Sequence, residues 1–212
     1  MSKLIRSTIT NILNCKENAT FSSKEEKDKA NDNILRQLNT LNGVKVDFNH
    51  PFQDITLNPM YSVPVNCYTY ALGLHNSEKY HDKVAEYFNK YYWNNNFNIL
   101  ACTAHSGFIN YLLKYNYLKE LSKPEKGCLV IYFDDNKYPK HAGILESKLK
   151  DEDDMTVRSK WGEFNALLTH KLWHVPCKNQ KFPEPDYGTC VKYYHRLNQE
   201  QAEIYYFEFI QN

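Results

Sequence analysis

The chain has 212 residues, with 26 basic and 25 acidic side chains and a formal net charge of +1. This length suffices for one well-filled domain, or for a core with an appendage. The balanced charge gives no indication of bulk nucleic-acid binding, and no apolar run approaches the length that spans a membrane. No apolar core follows the basic start, so no signal peptide is predicted. We expect a cytoplasmic protein, or one exported by a leaderless route.

The first 45 residues predict two helices. Residues 3–14 place their aliphatic side chains on one helical stripe. A capping box, either Ser22 with Glu25 or Ser23 with Glu26, begins a second helix that ends near Gly43. We interpret residues 1–45 as a helical N-terminal extension, which could dock a partner, cover a substrate or belong to the core. Residues 46–212 are the main domain.

Residues 44–64 contain three prolines and are expected to be irregular. A helix then begins at Cys67, because Asn66 is a favourable N-cap residue. Unpaired N–H groups and the helix dipole favour a negative charge in the first turn. We therefore expect a lowered pKa for the Cys67 thiol and a nucleophilic thiolate near neutrality. The alternative is a small, buried cysteine in an apolar helix.

The second half of the chain changes from helical to strand-like periodicity. Helices are predicted at 77–93 and 99–118, and strands at 128–133, 141–147, 155–161 and 189–196. The acidic run at 151–154 is predicted to be a solvated hairpin tip. Helices followed by an antiparallel sheet indicate an α+β fold.

The six cysteines are Cys15, Cys67, Cys102, Cys128, Cys177 and Cys190. In a chain of this length without a secretory leader they need not form a disulfide framework. We interpret most of them as buried thiols in a reducing compartment.

A histidine, His141, begins the second predicted strand. A helix-borne Cys67 and a strand-borne His141 form the layout of a nucleophile and its base. The thiolate would attack a carbonyl, and the imidazole would hold the thiolate and protonate the leaving amine. Backbone N–H groups at the helix start would bind the oxyanion.

Three segments, at 66–73, 124–132 and 141–144, occur in the order seen in NlpC-type and CHAP-type cysteine peptidases, which the chain therefore resembles. Those families have a Cys-led helix, a Pro-x-x-Gly-Asp strand entry and a His-hydrophobic-Gly or -Ala strand start. Here Cys128 stands where they usually have Asp. Further similarity to small bacterial papain-like domains lies at 159–162, at His170 and at 187–194.

The resemblance covers about residues 60–196 and implies a papain-like fold, in which the Cys-bearing helix packs on a small antiparallel sheet. It implies cleavage or transfer at an amide bond by a bacterial peptidase or amidase, with murein peptide as the substrate. The missing secretory leader leaves open a cytosolic protein target or delivery as an effector toxin. A third polar group would orient the His141 imidazole. Ser159, Lys160, Glu163 and His170 are candidates, and we assign Ser159, although the hairpin register decides which of them shares a face with His141.

Two other functions stay open. A deamidase or a transferase of the transglutaminase type would pass a thioester on Cys67 to water or to an amine. A non-enzymatic binding module would use the N-terminal helices as its surface and keep Cys67 in the core. We expect a peptide or protein substrate and no cofactor.

A zinc site competes with this interpretation. Histidine and cysteine side chains of the right kind for zinc follow one another in one segment; they are His170, His174 and Cys177, with Cys190 as a fourth ligand. Pro176 argues against one helix that carries the first three. Cys102 and His105 could form a metal pair, but a helix start also explains both.

Overall fold

The fold combines a central antiparallel sheet with helices on both of its faces. The computed structural model describes residues 2–17, 21–49, 52–92, 102–147, 151–162, 164, 166–177 and 186–211. Within these ranges the helices are α1 (Ser2–Glu17), α2 (Lys24–Asn39), α3 (Cys67–Ala71), α4 (Glu78–Tyr91), α5 (Ser106–Lys114) and α6 (Gln199–Gln211). The strands are β1 (Val44–Asp47), β2 (Ile55–Asn58), β3 (Tyr61–Val63), β4 (Leu129–Phe133), β5 (Pro139–Ser147), β6 (Thr156–Lys160), β7 (Leu167–Lys171) and β8 (Cys190–Tyr194). The predicted α+β class is confirmed.

Six strands form the main sheet, in the order β1-β7-β6-β5-β4-β8, and every neighbouring pair is antiparallel. Strands β2 and β3 form a separate hairpin. The four strands predicted from the sequence correspond to β4, β5, β6 and β8, and their ends agree to within two residues. Among the described helices, none has the length and apolar character that crossing a membrane requires.

The expectation of an irregular segment at 44–64 is wrong, because β1, β2 and β3 all lie there. Strand β1 is short and gains its hydrogen bonds from β7, more than a hundred residues away, where Val44 pairs with His170. The helix predicted at 99–118 is shorter than expected. It starts after His105 and stops before Asn116, whose φ of 57° cannot continue a right-handed helix. The sequence pattern did not predict β7 or α6.

Strand β4 is buried on both faces of the sheet. The side chains on one face of β4 pack with α3, α4, α5 and α6. Those on the other face pack with α1 and α2. Leu129 and Ile131 belong to the first layer, whereas Val130 and Tyr132 belong to the second. A continuous apolar run in β4 is therefore explained by helices on both sides.

The N-terminal helices form one of these two layers. The predicted cap at Ser23 is confirmed, since its hydroxyl accepts a hydrogen bond from the Glu26 N–H at 3.2 Å. The Glu26 carboxylate completes the box one residue earlier, because it accepts from the Ser22 N–H at 2.8 Å. From α1, the Arg6 guanidinium donates to the carbonyl oxygens of Val175, Pro176 and Gly188. The division after residue 45 stays a prediction, and the boundary falls inside β1.

Leucines of α2 and α1 give a test of how closely these helices are coupled to the sheet. Leu38 is 0% exposed beside the sheet, whereas Leu4 is 74% exposed. We expect Leu38→Ala to lower the free energy of unfolding by about 2–5 kcal/mol, because it leaves a cavity in the core. Leu4→Ala should change it by less than about 0.5 kcal/mol. Urea unfolding followed by circular dichroism measures both, and equal small effects would show that the helices are separable from the sheet.

Candidate active site

The start of helix α3 positions Cys67. The predicted N-cap is confirmed, because the Asn66 side-chain oxygen accepts hydrogen bonds from the N–H groups of Tyr68 and Thr69, both at 2.9 Å. Asn66 itself has extended backbone, with φ −103° and ψ 179°. Cys67 is thus the first residue of the helix, as the sequence predicts.

The same asparagine fixes a second segment beside Cys67. The Asn66 amide nitrogen donates to the Ala104 carbonyl at 2.8 Å and to the Thr103 hydroxyl at 3.2 Å. The Ala104 N–H in turn donates to the Tyr80 hydroxyl at 2.7 Å. The loop that precedes α5 is therefore held against the start of α3 by hydrogen bonds from both sides.

A pocket of about 290 Å³ opens at Cys67. Its walls come from the start of α3, the loop before α5 and the turn that leads into β5; the lining residues are Asn66, Cys67, Tyr68, Thr103, His105, Ser106, Tyr138, Pro139 and Lys140. Two larger cavities of about 680 Å³ lie beside α2, but neither has a cysteine or a histidine among its lining residues. The smaller pocket is therefore the better candidate for thiol chemistry.

Two hydrogen bonds hold the pocket walls together. The Tyr68 hydroxyl donates to the Pro139 carbonyl at 2.9 Å. The hydroxyl groups of Ser106 and Tyr138 lie 2.9 Å apart and join α5 to the turn before β5. The pocket is thus bordered by three segments that are bonded to one another.

The pKa of the Cys67 thiol is raised to about 11, chiefly because burial removes the thiolate from water. Four groups act in the opposite direction but are outweighed: the Ala142 N–H, the charge of Lys160, and the N–H groups of Tyr68 and of Cys67 itself. The expected lowering of this pKa is therefore wrong. The stabilising N–H groups at the helix start are present, but desolvation has the larger effect.

The backbone of His141 lies near the thiol, and its ring contacts Tyr132, whose side chain packs in the layer formed with α1 and α2. The N–H that acts on Cys67 belongs to the peptide bond between His141 and Ala142. The His141 ring is buried and stacks on Tyr187, with 4.1 Å between the ring centroids. The pKa of the Tyr187 hydroxyl is raised chiefly by burial and, to a smaller extent, by a negative charge on Cys67. The structure thus brings Cys67, the backbone of His141 and Tyr187 into one neighbourhood.

The His141 imidazole is neutral at pH 7. Burial, together with the charge of His170, holds its pKa well below the ordinary value. Its Nε2 atom is buried and has no hydrogen-bond partner in the part of the chain that the structure describes. Burial thus opposes the charged form of the ring, and the pairing of Cys67 with His141 in catalysis stays a prediction.

Ser159 makes its hydrogen bonds to residues other than His141. The Trp161 indole N–H donates to the Ser159 hydroxyl at 2.9 Å, and this hydroxyl lies 2.8 Å from Nε2 of His170. Because Nδ1 of His170 lies 2.9 Å from the Lys171 carbonyl, Nδ1 carries the proton and Nε2 accepts from Ser159. Burial lowers the pKa of His170 to about 4. The assignment of Ser159 as the group that orients His141 stays a prediction.

Lys160 and Glu163 were also candidates for the group that orients His141. Lys160 is buried, donates to the Gly162 carbonyl at 2.9 Å and favours the Cys67 thiolate by its charge. Glu163 lies outside the described residues. Lys160, which the sequence offered only as a partner for His141, thus acts on Cys67 instead.

Two of the proposed zinc ligands, His170 and Cys190, differ in their exposure to solvent. His170 is buried in β7, whereas Cys190 is exposed on the edge strand β8. In the described parts of the chain, no three side chains of His, Cys, Asp or Glu are grouped so that they could hold a metal ion. His105 caps α5, where its Nδ1 accepts from the Gly107 N–H at 2.9 Å.

The loop at 102–106 is the part of the site that sequence reasoning missed. Thr103, His105 and Ser106 reach the pocket only because Asn66 holds this loop against α3. A local signal was present, since a polar residue before Ser-Gly at a helix start is typical of an N-cap. That signal predicts the N-terminus of a helix, but it does not indicate that this terminus faces the start of α3 across a pocket.

No family model matches the chain, nor does any curated protein or solved structure. The papain-like interpretation therefore depends on the order of the sequence motifs and on the arrangement at Cys67. Both are properties of the residues themselves, and both can be tested by chemistry at the thiol.

The raised pKa of Cys67 predicts the pH dependence of its alkylation. Only the thiolate reacts, and with a pKa of about 11 the thiolate fraction increases about tenfold per pH unit between pH 7 and 9. The rate of iodoacetamide labelling, read by peptide mass, should increase accordingly. The Cys67→Ala variant identifies the labelled peptide. A rate that is already constant over this range would show a stabilised thiolate and contradict the neutral thiol.

Removal of the Lys160 charge should make the thiolate scarcer. A nearby positive charge lowers the pKa of a thiol, so Lys160→Met should raise the pKa of Cys67 and slow its alkylation at pH 8 by about threefold to tenfold. Lys192→Met, on the edge strand β8, is the matched control and should leave the rate unchanged. Circular dichroism establishes that both variants are folded. Equal rates in the two variants would show that Lys160 does not act on the thiol.

Proposed function

We propose that the protein is a papain-like cysteine hydrolase that cleaves an amide or peptide bond through Cys67 and His141. The main support is that a pocket is lined by a cysteine at a helix start, beside the backbone of a histidine whose ring is neutral at pH 7. A buried structural cysteine needs neither the pocket nor the histidine.

A neutral resting pair implies a general-base mechanism, in which the substrate must offset a proton transfer that the burial of both groups opposes. Thiol and imidazole are both neutral at pH 7, so the proton of the Cys67 sulfur passes to His141 while the sulfur forms a bond to the substrate carbonyl carbon. The electron pair of the carbonyl moves to its oxygen. When the tetrahedral intermediate collapses, the C–N bond breaks and the His141 imidazolium gives its proton to the leaving amine.

Water completes the cycle by attacking the thioester. His141 takes a proton from this water and returns it to the Cys67 sulfur as the acid product leaves. The positive charge of Lys160 stabilises negative charge on the sulfur at both stages. The chain thus regains its neutral thiol.

Helix α3 supplies one donor for the oxyanion. The N–H groups of Tyr68 and Thr69 are engaged by the Asn66 side chain. Cys67 precedes them in the first turn, and its own N–H is therefore the backbone donor at this helix start that is available to a substrate oxygen. We propose a peptide or protein substrate, murein peptide included, that inserts one side chain and the bond to be cleaved into the pocket of about 290 Å³.

Acylation of the thiol by p-nitrophenyl acetate tests the proposal without knowledge of the natural substrate. We expect the acetyl group on Cys67, located by peptide mass, and its absence in Cys67→Ala. His141→Ala should slow acylation by about 100-fold or more, since it removes the general base. Cys128→Ala, a change at another buried thiol, is the matched control and should acylate at the rate of the unmodified chain.

Acylation at other cysteines only, or an equal rate in His141→Ala, would contradict the proposal. If Cys67 acylates as expected, incubation with casein separates the reaction classes. A peptidase changes the fragment pattern, whereas a deamidase releases ammonia without cutting the chain.

A further inference from the structure

His105 forms part of the pocket wall and has no role in the proton transfers described above. Its ring is half-buried, lies at the N-cap of α5 and packs edge-on against Phe209, with 5.6 Å between the ring centroids. The hydrogen bonds and the burial of this ring determine which of its nitrogens can donate.

The hydrogen bonds of His105 determine which nitrogen carries its proton. Nδ1 accepts from the Gly107 N–H at 2.9 Å and is therefore unprotonated. Burial lowers the pKa of the ring, so it is neutral at pH 7. The proton of a neutral imidazole then lies on Nε2. In the described part of the chain, this Nε2–H makes no hydrogen bond, and the ring to which it belongs borders the pocket.

Asn66 sets the relation between His105 and Cys67. Its oxygen caps the helix that begins at Cys67, and its amide nitrogen donates to the carbonyl of Ala104, the residue before His105. One side chain thus connects two helix starts that both line the pocket. The Cys67 N–H and the His105 ring are held at the same opening.

We propose that His105 is the second oxyanion donor of the site and hydrogen-bonds, through Nε2–H, to the substrate carbonyl oxygen. This inference rests on the proposed hydrolase function. As the sulfur–carbon bond forms, the C=O π electrons move to oxygen. The oxygen then accepts hydrogen bonds from the backbone N–H of Cys67 and from the ring Nε2–H of His105. His105 transfers no proton, and its neutral N–H acts by its fixed direction. The ligand is the carbonyl group of an amide or ester.

Two reactions of the same thiol distinguish this role from a structural one. Acylation by p-nitrophenyl acetate passes through an oxyanion, whereas alkylation by iodoacetamide displaces iodide and forms none. His105→Asn retains a good N-cap residue for the Gly107 N–H and removes the Nε2–H. We expect it to slow acylation by about 100-fold and to leave the alkylation rate and its pH profile unchanged.

A second variant covers the case in which His105→Asn does not fold, as judged by its thermal unfolding midpoint. His105→Gln offers a side-chain N–H in a similar place and should acylate more slowly than the native chain, with an unchanged alkylation rate. An unchanged acylation rate in His105→Asn, or an equal loss of acylation and alkylation, would overturn the proposal, the latter by showing that His105 only positions Cys67. Alkylation of Cys67 without any acylation in the native chain would instead overturn the proposed function, and this inference with it.

Discussion

The Asn66 side chain makes four hydrogen bonds, two through its oxygen to the first turn of α3 and two through its nitrogen to the loop before α5. This uses the hydrogen-bonding capacity of a primary amide fully. An aspartate could cap the helix but could not donate to the Ala104 carbonyl, and a serine could not reach in both directions. The position of Cys67 relative to the opposite pocket wall depends on this one amide group.

The central sheet also fixes the position of a group that contacts Cys67. Strand β5 lies in the middle of the sheet between β4 and β6, and both faces of β4 are covered by helices. The backbone of β5 therefore has little freedom, and its Ala142 N–H reaches the Cys67 sulfur from a rigid element. A thiol held between a capped helix and a central strand has the preorganisation that nucleophilic catalysis requires.

The sequence predicted the features that depend on neighbouring residues. The Asn66 cap, the Ser23 capping box and the strands β4, β5, β6 and β8 all follow from local patterns, and all are present. Strands β1 and β7 were not predicted, because the pairing of Val44 with His170 is specified only by the folded chain. Short strands of this kind carry too weak a periodicity to be recognised.

The electrostatics of the site could not be derived from local sequence either. A helix start favours a thiolate, but the extent of desolvation is a tertiary property, and at Cys67 it has the larger effect. The direction of Ser159 depends on strand register, which shifts between β5 and β6 near Leu145. In the folded chain Ser159 bonds to His170 and Trp161, whereas Lys160 acts on the thiol.

The raised pKa of Cys67 also affects how the protein responds to oxidants. Peroxides oxidise the thiolate far faster than the thiol, so cysteines that sense oxidants combine a low pKa with free access to solvent. Cys67 differs from such cysteines in its acidity at rest, since burial keeps its sulfur protonated. In the proposed mechanism, the sulfur loses its proton only when a carbonyl group is present, so it is spared from sulfenic acid formation between turnovers. Desolvation thus protects the sulfur chemically as well as setting its acidity.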